Sequence, residues 1–299
     1  MIDRRTFLVA SVSFSFGCSG PSDEGFADLG ADPLLAAERE LAAVRTGLGA
    51  SARFGFAAVD TASGRSVVHD ADSRYAMCST FKWTLAAAIL AEAEAGRLQL
   101  DALIPFGEAD LLGHAPVVRE NIGAGALPVE RLCAAIVEVS DNSAANLLLR
   151  RIGGPQALTA FIRANGDDVT RLDRYEGALN SNLPNDPRDT TTPAAMVRLM
   201  ERLLVGDALT PASRTRLLGW MERSTTGLDR LRAGLPSDWR VGDKTGTGAN
   251  GAHNDVAVAW PPARPPLLVA SFISAAQASG DACNAAHAAA GRLAASILV

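Results

Sequence analysis

Lysine is nearly absent from this chain of 299 residues: only Lys82 and Lys244 occur, although arginine is scattered along the whole length. Arginine keeps its proton, whereas a lysine can shed its own where the surroundings disfavour charge. A sequence that uses arginine for every generic cation reserves its two lysines for chemistry or close geometry. Cysteine and histidine are sparse too. Cys18, Cys78, Cys133 and Cys283 include no C-x-x-C pair, and His69, His114, His253 and His287 lack ligand spacing. That pattern argues against a zinc hydrolase, and no metal or cofactor is implied. An excess of positive charge is also missing. The formal net charge of −5 disfavours nucleic acid or an anionic membrane surface as partner. Long apolar runs are missing as well: Thr6 to Gly17 is too short to span a bilayer and suits a signal segment.

What is present fits an exported globular protein. A hydrophobic share of 48% and a charged share of 20% are ordinary, and the length allows a large core. Arg4-Arg5-Thr6-Phe7-Leu8 resembles a twin-arginine export motif, and Ser15-Phe16-Gly17-Cys18 partly resembles a lipoprotein cleavage site. Residues 1–30 are therefore expected to be an export signal and flexible tether leading to the periplasm, with Cys18 a candidate lipid anchor.

Pattern then divides the rest. Asp32-Pro33 starts a helix over Leu34 to Leu48, and Arg53 to Val59 with Arg65 to His69 reads as a hairpin about a turn at Asp60 to Gly64. Helical patterns fill the middle: Thr80 to Ala95, Val129 to Val139, Ala144 to Arg150, Gln156 to Asn165, Thr192 to Leu204 and Ser213 to Glu222. Strand patterns return at Trp239 to Lys244, Asp255 to Trp260 and Leu267 to Ser274, before an Ala-rich helix from about Gly280 to Ile297. The expectation is one α/β lobe from both ends (31–70 with 221–299) and a helical lobe from the middle (71–220).

Both lysines sit in suggestive company. Ser79-x-x-Lys82 is followed by Ser140-Asp141-Asn142, by Glu176 with Asn180 four residues on, and by Lys244-Thr245-Gly246. A lone S-x-x-K arises by chance in roughly every chain of this size, but the ordered set does not. Ser79 lies where a helix begins, so free amides and the helix dipole favour negative charge there. Lys82, three residues on, occupies the same helical face. A serine hydroxyl needs a neighbouring base, and Lys82 serves only if burial or a second cation such as Lys244 lowers its pKa.

These motifs resemble those of the class A serine β-lactamases, from about Asp32 to the C-terminus. The resemblance implies a two-lobe α/β fold: a five-stranded antiparallel sheet flanked by helices, an inserted all-α lobe and the active site at their junction. It implies hydrolysis of small-molecule β-lactams by a monomer, through an acyl-enzyme on Ser79. In that scheme Ser140 relays a proton to the leaving nitrogen, Asn142 orients Lys82 and binds the substrate amide, and Asp141 ties down the backbone. Glu176 and Asn180 would hold a water that Glu176 activates for deacylation; whether Lys82 or Glu176 drives acylation stays open. Lys244 and Thr245 would bind the substrate carboxylate, with Gly246 allowing close approach on an edge strand. The amides of Ser79 and Thr247 would form the oxyanion hole, and Arg230 would reach toward the same carboxylate. A D-alanyl-D-alanine carboxypeptidase or a non-hydrolytic penicillin sensor shares the other motifs, but Glu176 with Asn180 argues against both.

Some positions depart from the family. Arg174 and Asp189 match its salt bridge across the neck of the Ω-loop (about 171–190), but Gly177 stands where many relatives have proline, so this loop is expected to be looser or strained. His114 replaces a Tyr or Trp of the cleft rim, or is an ordinary surface histidine. Cys78 pairs in some relatives with a cysteine where this chain has Gly248. Three buried free thiols are expected instead, with a Cys78–Cys133 bridge the weaker alternative.

Overall fold

The computed structural model describes residues 33–299, with side chains from residue 36; the export motif at Arg4-Arg5 and Cys18 lie outside the described residues. Helix α1 (Pro33–Thr46) leads into a hairpin, β1 (Arg53–Asp60) and β2 (Ser66–His69). Its turn is closed by the Asp60 carboxylate, which accepts from the Ala62 amide at 3.0 Å and the Ser63 hydroxyl at 2.6 Å. Then come β3 (Tyr75–Ala76), α2 (Phe81–Glu94), β4 (Leu103–Pro105), α3 (Pro116–Glu120), β5 (Ala126–Pro128), α4 (Val129–Glu138), α5 (Asn142–Ile152) and α6 (Pro155–Ala164). After β6 (Thr190–Thr191) follow α7 (Pro193–Met200), α8 (Pro211–Glu222), α9 (Leu231–Gly234), β7 (Arg240–Thr247), β8 (His253–Trp260), β9 (Leu267–Ser274) and α10 (Gly280–Leu298).

The ends of this series build one sheet. Its five strands run β2-β1-β9-β8-β7, all neighbours antiparallel, so strands from opposite ends of the chain meet at β1 and β9. Both faces are covered, which is why β8 and β9 read as nearly unbroken apolar runs. Val256, Val258, Leu268, Ala270 and Phe272 pack toward the helices of the middle segment. The alternate residues Ala257, Ala259, Leu267, Val269 and Ile273 pack with α1, α9 and α10. Strand β7 is left at the sheet edge, and that is where Lys244-Thr245-Gly246 lies.

Helix α2 is the central rod of the helical layer. Every residue from Phe81 to Leu90 is buried, so the helix is apolar on all sides except for Lys82 and Thr84. Around it α4 and α5 each bury one face. The long helices and the five main strands fall where the sequence places them, within a few residues. The expected helix Thr192 to Leu204 ends in a wider π-helical turn at Glu201–Val205. The short ladders β3–β6 and β4–β5 and the one-turn helices α3 and α9 were not anticipated.

Beneath the β8 end of the sheet, His287 Nδ1 lies 2.7 Å from the Ser271 hydroxyl and its Nε2 lies 3.2 Å from His253 Nδ1. Burial holds His253 down to about 4 and His287 well below the ordinary histidine range. Both are neutral in the fold, whereas in the unfolded chain they take up protons below about pH 6.5. Stability is therefore complete above about pH 6.5 and falls as pH drops toward about 4. Thermal melts across that window should show this slope, and His287→Gln should flatten it.

Candidate active site

Three segments far apart in sequence converge on the amine of Lys82. A 3₁₀ turn at Cys78–Thr80 feeds α2, so Ser79 precedes the helix and Lys82 stands in its first turn. Cys78 takes a left-handed conformation (φ +46°), and Ser140, just before α5, does likewise (φ +60°). Each such residue is strained at a cost of order 1 kcal/mol or more, a pattern common at functional sites. Lys82 Nζ lies 2.9 Å from Ser79 Oγ, 2.8 Å from the Ser140 carbonyl oxygen, 3.2 Å from Ser140 Oγ and 2.5 Å from Asn142 Oδ1. Glu176 closes the cluster, its Oε1 2.8 Å from Lys82 Nζ and 3.2 Å from Ser79 Oγ, which donates to it.

Neither Lys82 nor the Glu176 carboxylate is exposed to solvent. Burial lowers the Lys82 pKa, and Glu176 opposes that shift. Burial also works to raise the Glu176 carboxyl, but Lys82, then Asn180 and Ser79, outweigh it and hold it below the usual carboxylate range. The pair is thus an ion pair with its partners fixed. Lys244, on β7, sends Nζ to within 3.1 Å of Ser140 Oγ, so that hydroxyl sits between the two amines. Burial first, and then the charge of Lys82, push Lys244 well below its ordinary value.

Asp141 supports this geometry rather than entering it. One carboxylate oxygen caps α5 through the Ala144 amide at 2.9 Å, and the other accepts from the Val117 and Val118 amides of α3 at 2.9 and 3.0 Å. The loop from Arg171 to Thr190 delivers Glu176. Arg174 Nε meets Asp189 Oδ2 at 2.5 Å across the neck, and Asp189 Oδ1 accepts from the Asp173 and Arg174 amides at 2.7 and 2.9 Å. Asn180 Nδ2 donates to Glu176 Oε2 at 2.8 Å. Asn146 also holds the loop, its Oδ1 accepting from the Glu176 amide at 2.8 Å. It lies one helical turn after Asn142, on the same face, a spacing visible in the sequence but not singled out there.

The strand wall is tightly fitted. A Cβ on Gly246 would lie 2.5 Å from the Met77 carbonyl oxygen and 3.2 Å from the Ser79 amide, so only glycine lets β7 run beside the Ser79 turn. The amides of Ser79 and Thr247 therefore come from two backbones in direct contact. Thr245 Oγ1 donates to Thr226 Oγ1 at 2.7 Å. Arg230 donates to the carbonyls of Gly246 and Asn254 at 3.2 and 2.7 Å and to Thr247 Oγ1 at 2.8 Å, which braces this strand end. Asn254 in turn donates to the carbonyls of Ala76 and Met77 at 2.9 and 3.1 Å. Thr226 and Asn254 carry no local signal; only the fold brings them here.

The remaining expectations resolve individually. Cys78, Cys133 and Cys283 are free and buried, so Cys78 and Cys133 do not pair. His114 is exposed, and its Nε2 lies 2.8 Å from the Val139 carbonyl oxygen, which pins the ring beside the Ser140 turn. Gly177 has φ +97°, and a Cβ there would meet nothing within 4 Å. Its cost is purely conformational: proline, fixed near −65°, cannot take this backbone. Among the described residues no group of three or more His, Cys, Asp or Glu could hold a metal ion.

The family model described as "Beta-lactamase enzyme family" matches residues 36–298. Beta-lactamase L2 of Stenotrophomonas maltophilia is 46% identical over 264 residues, which are 88% of this chain and 86% of that protein. The carbapenem-hydrolyzing beta-lactamase KPC of Klebsiella oxytoca is 40% identical over 292 residues, 97% of this chain and 96% of that one. Among solved structures, an ancestral (GNCA) class A beta-lactamase superposes with a TM-score of 0.84 at 51% identity, covering 86% of this chain and 98% of its own.

Two substitutions test the loop. Asp189→Ala, which leaves the Arg174 guanidinium and two amides without their acceptor, should lower unfolding free energy by about 3 kcal/mol in denaturant melts. Gly177→Pro should lower the melting temperature and slow turnover together; unchanged values would mean that the loop readily adopts another path.

Proposed function

The chain belongs to the class A β-lactamase family and is a β-lactam hydrolase, an activity that confers antibiotic resistance; on that premise we propose that Ser79, Lys82, Ser140 and Glu176 carry the chemistry. The observation that bears most weight is the buried Glu176 carboxylate, 3.2 Å from the Ser79 hydroxyl and paired with Lys82. The pairing with Lys82 holds Glu176 as a carboxylate, and on this reading it is the resting base beside Ser79, acting directly or through a water. Ser79 Oγ attacks the lactam carbonyl as its proton leaves toward Glu176, and the Ser79 and Thr247 amides hold the oxyanion. Such a donor is typically worth about 2.7–4 kcal/mol.

The lactam C–N bond then breaks, and its nitrogen takes a proton from Ser140, whose hydroxyl is replenished from Lys82; Lys82 is restored by the proton that Glu176 took from Ser79, which leaves Glu176 a carboxylate again. Lys244 and Thr245 bind the substrate carboxylate, with Arg230 adding positive charge nearby. Asn142 serves the substrate's side-chain amide, and Gly246 admits the substrate against the strand. In the second half Glu176, held by Asn180 and Asn146, takes a proton from water as it attacks the ester carbon. Ser79 leaves and recovers its proton. The α/β part (31–70 with 221–299) and the helical part (71–220) then form the two walls of the cleft. We read the protein as an exported monomer, with residues 1–30 as its signal and tether.

Turnover of many equivalents of a chromogenic cephalosporin is expected. Glu176→Ala should leave an ester on Ser79, visible as a stable mass increase, and should slow deacylation about 10²–10⁴-fold. A single stoichiometric burst from the unaltered protein would instead indicate a penicillin sensor or a slow transpeptidase.

A further inference from the structure

Behind the Arg171–Thr190 loop, between it and the β7–β8 turn, is a cavity of about 720 Å³ that none of the residues assigned to catalysis or substrate binding lines. Its charged lining is one-sided: Arg53, Arg74, Arg174 and Arg188 against the single carboxylate Asp186. That contrasts with a chain whose formal net charge is −5. Arg53 lies 3.5 Å from Asp70, Arg174 pairs with Asp189 and Arg188 with Asp186, so among the described residues Arg74 is the one of the four with no carboxylate partner, and the others keep N–H groups beyond their pairing. Arg74 Nη1 donates to the Val169 carbonyl and to Thr190 Oγ1, each at 3.0 Å, which fixes its direction. Arg53 lies over the Tyr75 ring, 4.6 Å from its centroid, and Arg188 grips Asp186 through Nε and Nη2 at 2.9 and 2.8 Å. Among the described residues no protein acceptor meets Arg74 Nη2, Arg174 Nη1 or Arg188 Nη1. The rest of the wall includes apolar groups, among them Leu183, Pro184 and Ala276.

We infer that this cavity is a second binding site, for a small organic dianion that carries two carboxylates or a phosphate monoester on an apolar body. The volume falls in the usual range for small-molecule sites, roughly 300–1,000 Å³. Converging guanidinium groups favour oxyanions over any neutral ligand, and Arg forks suit carboxylate and phosphate alike. The reaction itself makes one such dianion, because opening a lactam adds a second carboxylate to a substrate that already bears one. The site also touches the catalytic loop. Arg174 Nη2 donates to Ser181 Oγ at 3.1 Å, and Ser181 follows Asn180, which holds Glu176. A bound dianion would bridge this loop to the sheet end and raise its thermal stability.

The test is calorimetric titration of the full chain with hydrolysed benzylpenicillin, with phenyl phosphate and with neutral benzyl alcohol. At least one dianion should bind and raise the melting temperature, and benzyl alcohol should not. Tighter binding of the hydrolysed penicillin would mark product as the occupant; preference for phenyl phosphate would mark a phosphorylated metabolite. Arg53→Gln and Arg188→Gln, each an exposed side chain away from the catalytic cluster, should weaken binding about tenfold or more. Failure of both dianions at millimolar concentration would overturn the inference, as would equal affinity in both variants or the same response to sodium sulfate at matched ionic strength. Because hydrolysed penicillin can also enter the catalytic cleft, it is the weakening by Arg53→Gln and Arg188→Gln, both remote from that cleft, that assigns binding to this cavity.

Discussion

The site depends on a lysine amine buried where water cannot reach it. Lys82 grows out of a helix whose surroundings are apolar, so its charge must be met entirely by protein groups. Glu176, Ser79, Ser140 and Asn142 meet it, and each is thereby fixed at a distance of 2.5–3.2 Å. A buried ion pair contributes little net stability against an apolar substitute, while losing one partner is costly. The arrangement is therefore better explained by position than by stability. One ammonium sets the spacing of a hydroxyl, a carboxylate and an amide that come from three separate stretches of chain.

The second amine makes sense on the same terms. Lys244 is as completely buried as Lys82, and burial together with the nearby Lys82 lowers its tendency to hold a proton. Their shared neighbour is the Ser140 hydroxyl. In the proposed mechanism the two amines flanking this hydroxyl position it to pass a proton to a nitrogen that becomes basic as its bond to carbon breaks. Arginine in either place would keep its proton and, with a planar fork, would not fit the space that a single amine fills. This is the physical content of a sequence that spends its lysines nowhere else.

Local chemistry was legible in the sequence, and tertiary support was not. Ser79 and Lys82 share one helical turn, and the ordered set of motifs singles them out; Glu176 and Asn180 are placed by the resemblance to the family's loop rather than by spacing alone. Periodicity likewise located the hairpin, the long helices and the three late strands. Asn146 had a readable signal, an asparagine one turn beyond Asn142. Thr226 and Asn254 had none, because their partners, Thr245 on one side and the Ala76–Met77 carbonyls on the other, are brought to them only by folding. The β3–β6 and β4–β5 ladders, of two and three residues a strand, are too short for a period-two pattern to register. The freedom of Cys78 and Cys133 could be favoured but not decided from spacing, since disulfide geometry depends on the fold.

The loop that carries Glu176 shows how such a carboxylate is held without a rigid element beneath it. Its neck is tied by a carboxylate, Asp189, that serves two amides and a guanidinium at once. Glu176 is gripped at the backbone by Asn146 and at the side chain by Asn180. Gly177 sits between those two grips with a backbone that other residues avoid and with open space around it. A proline would stiffen the same point, but only in a conformation this loop does not have, and the asparagine pair therefore carries the burden of preorganisation here.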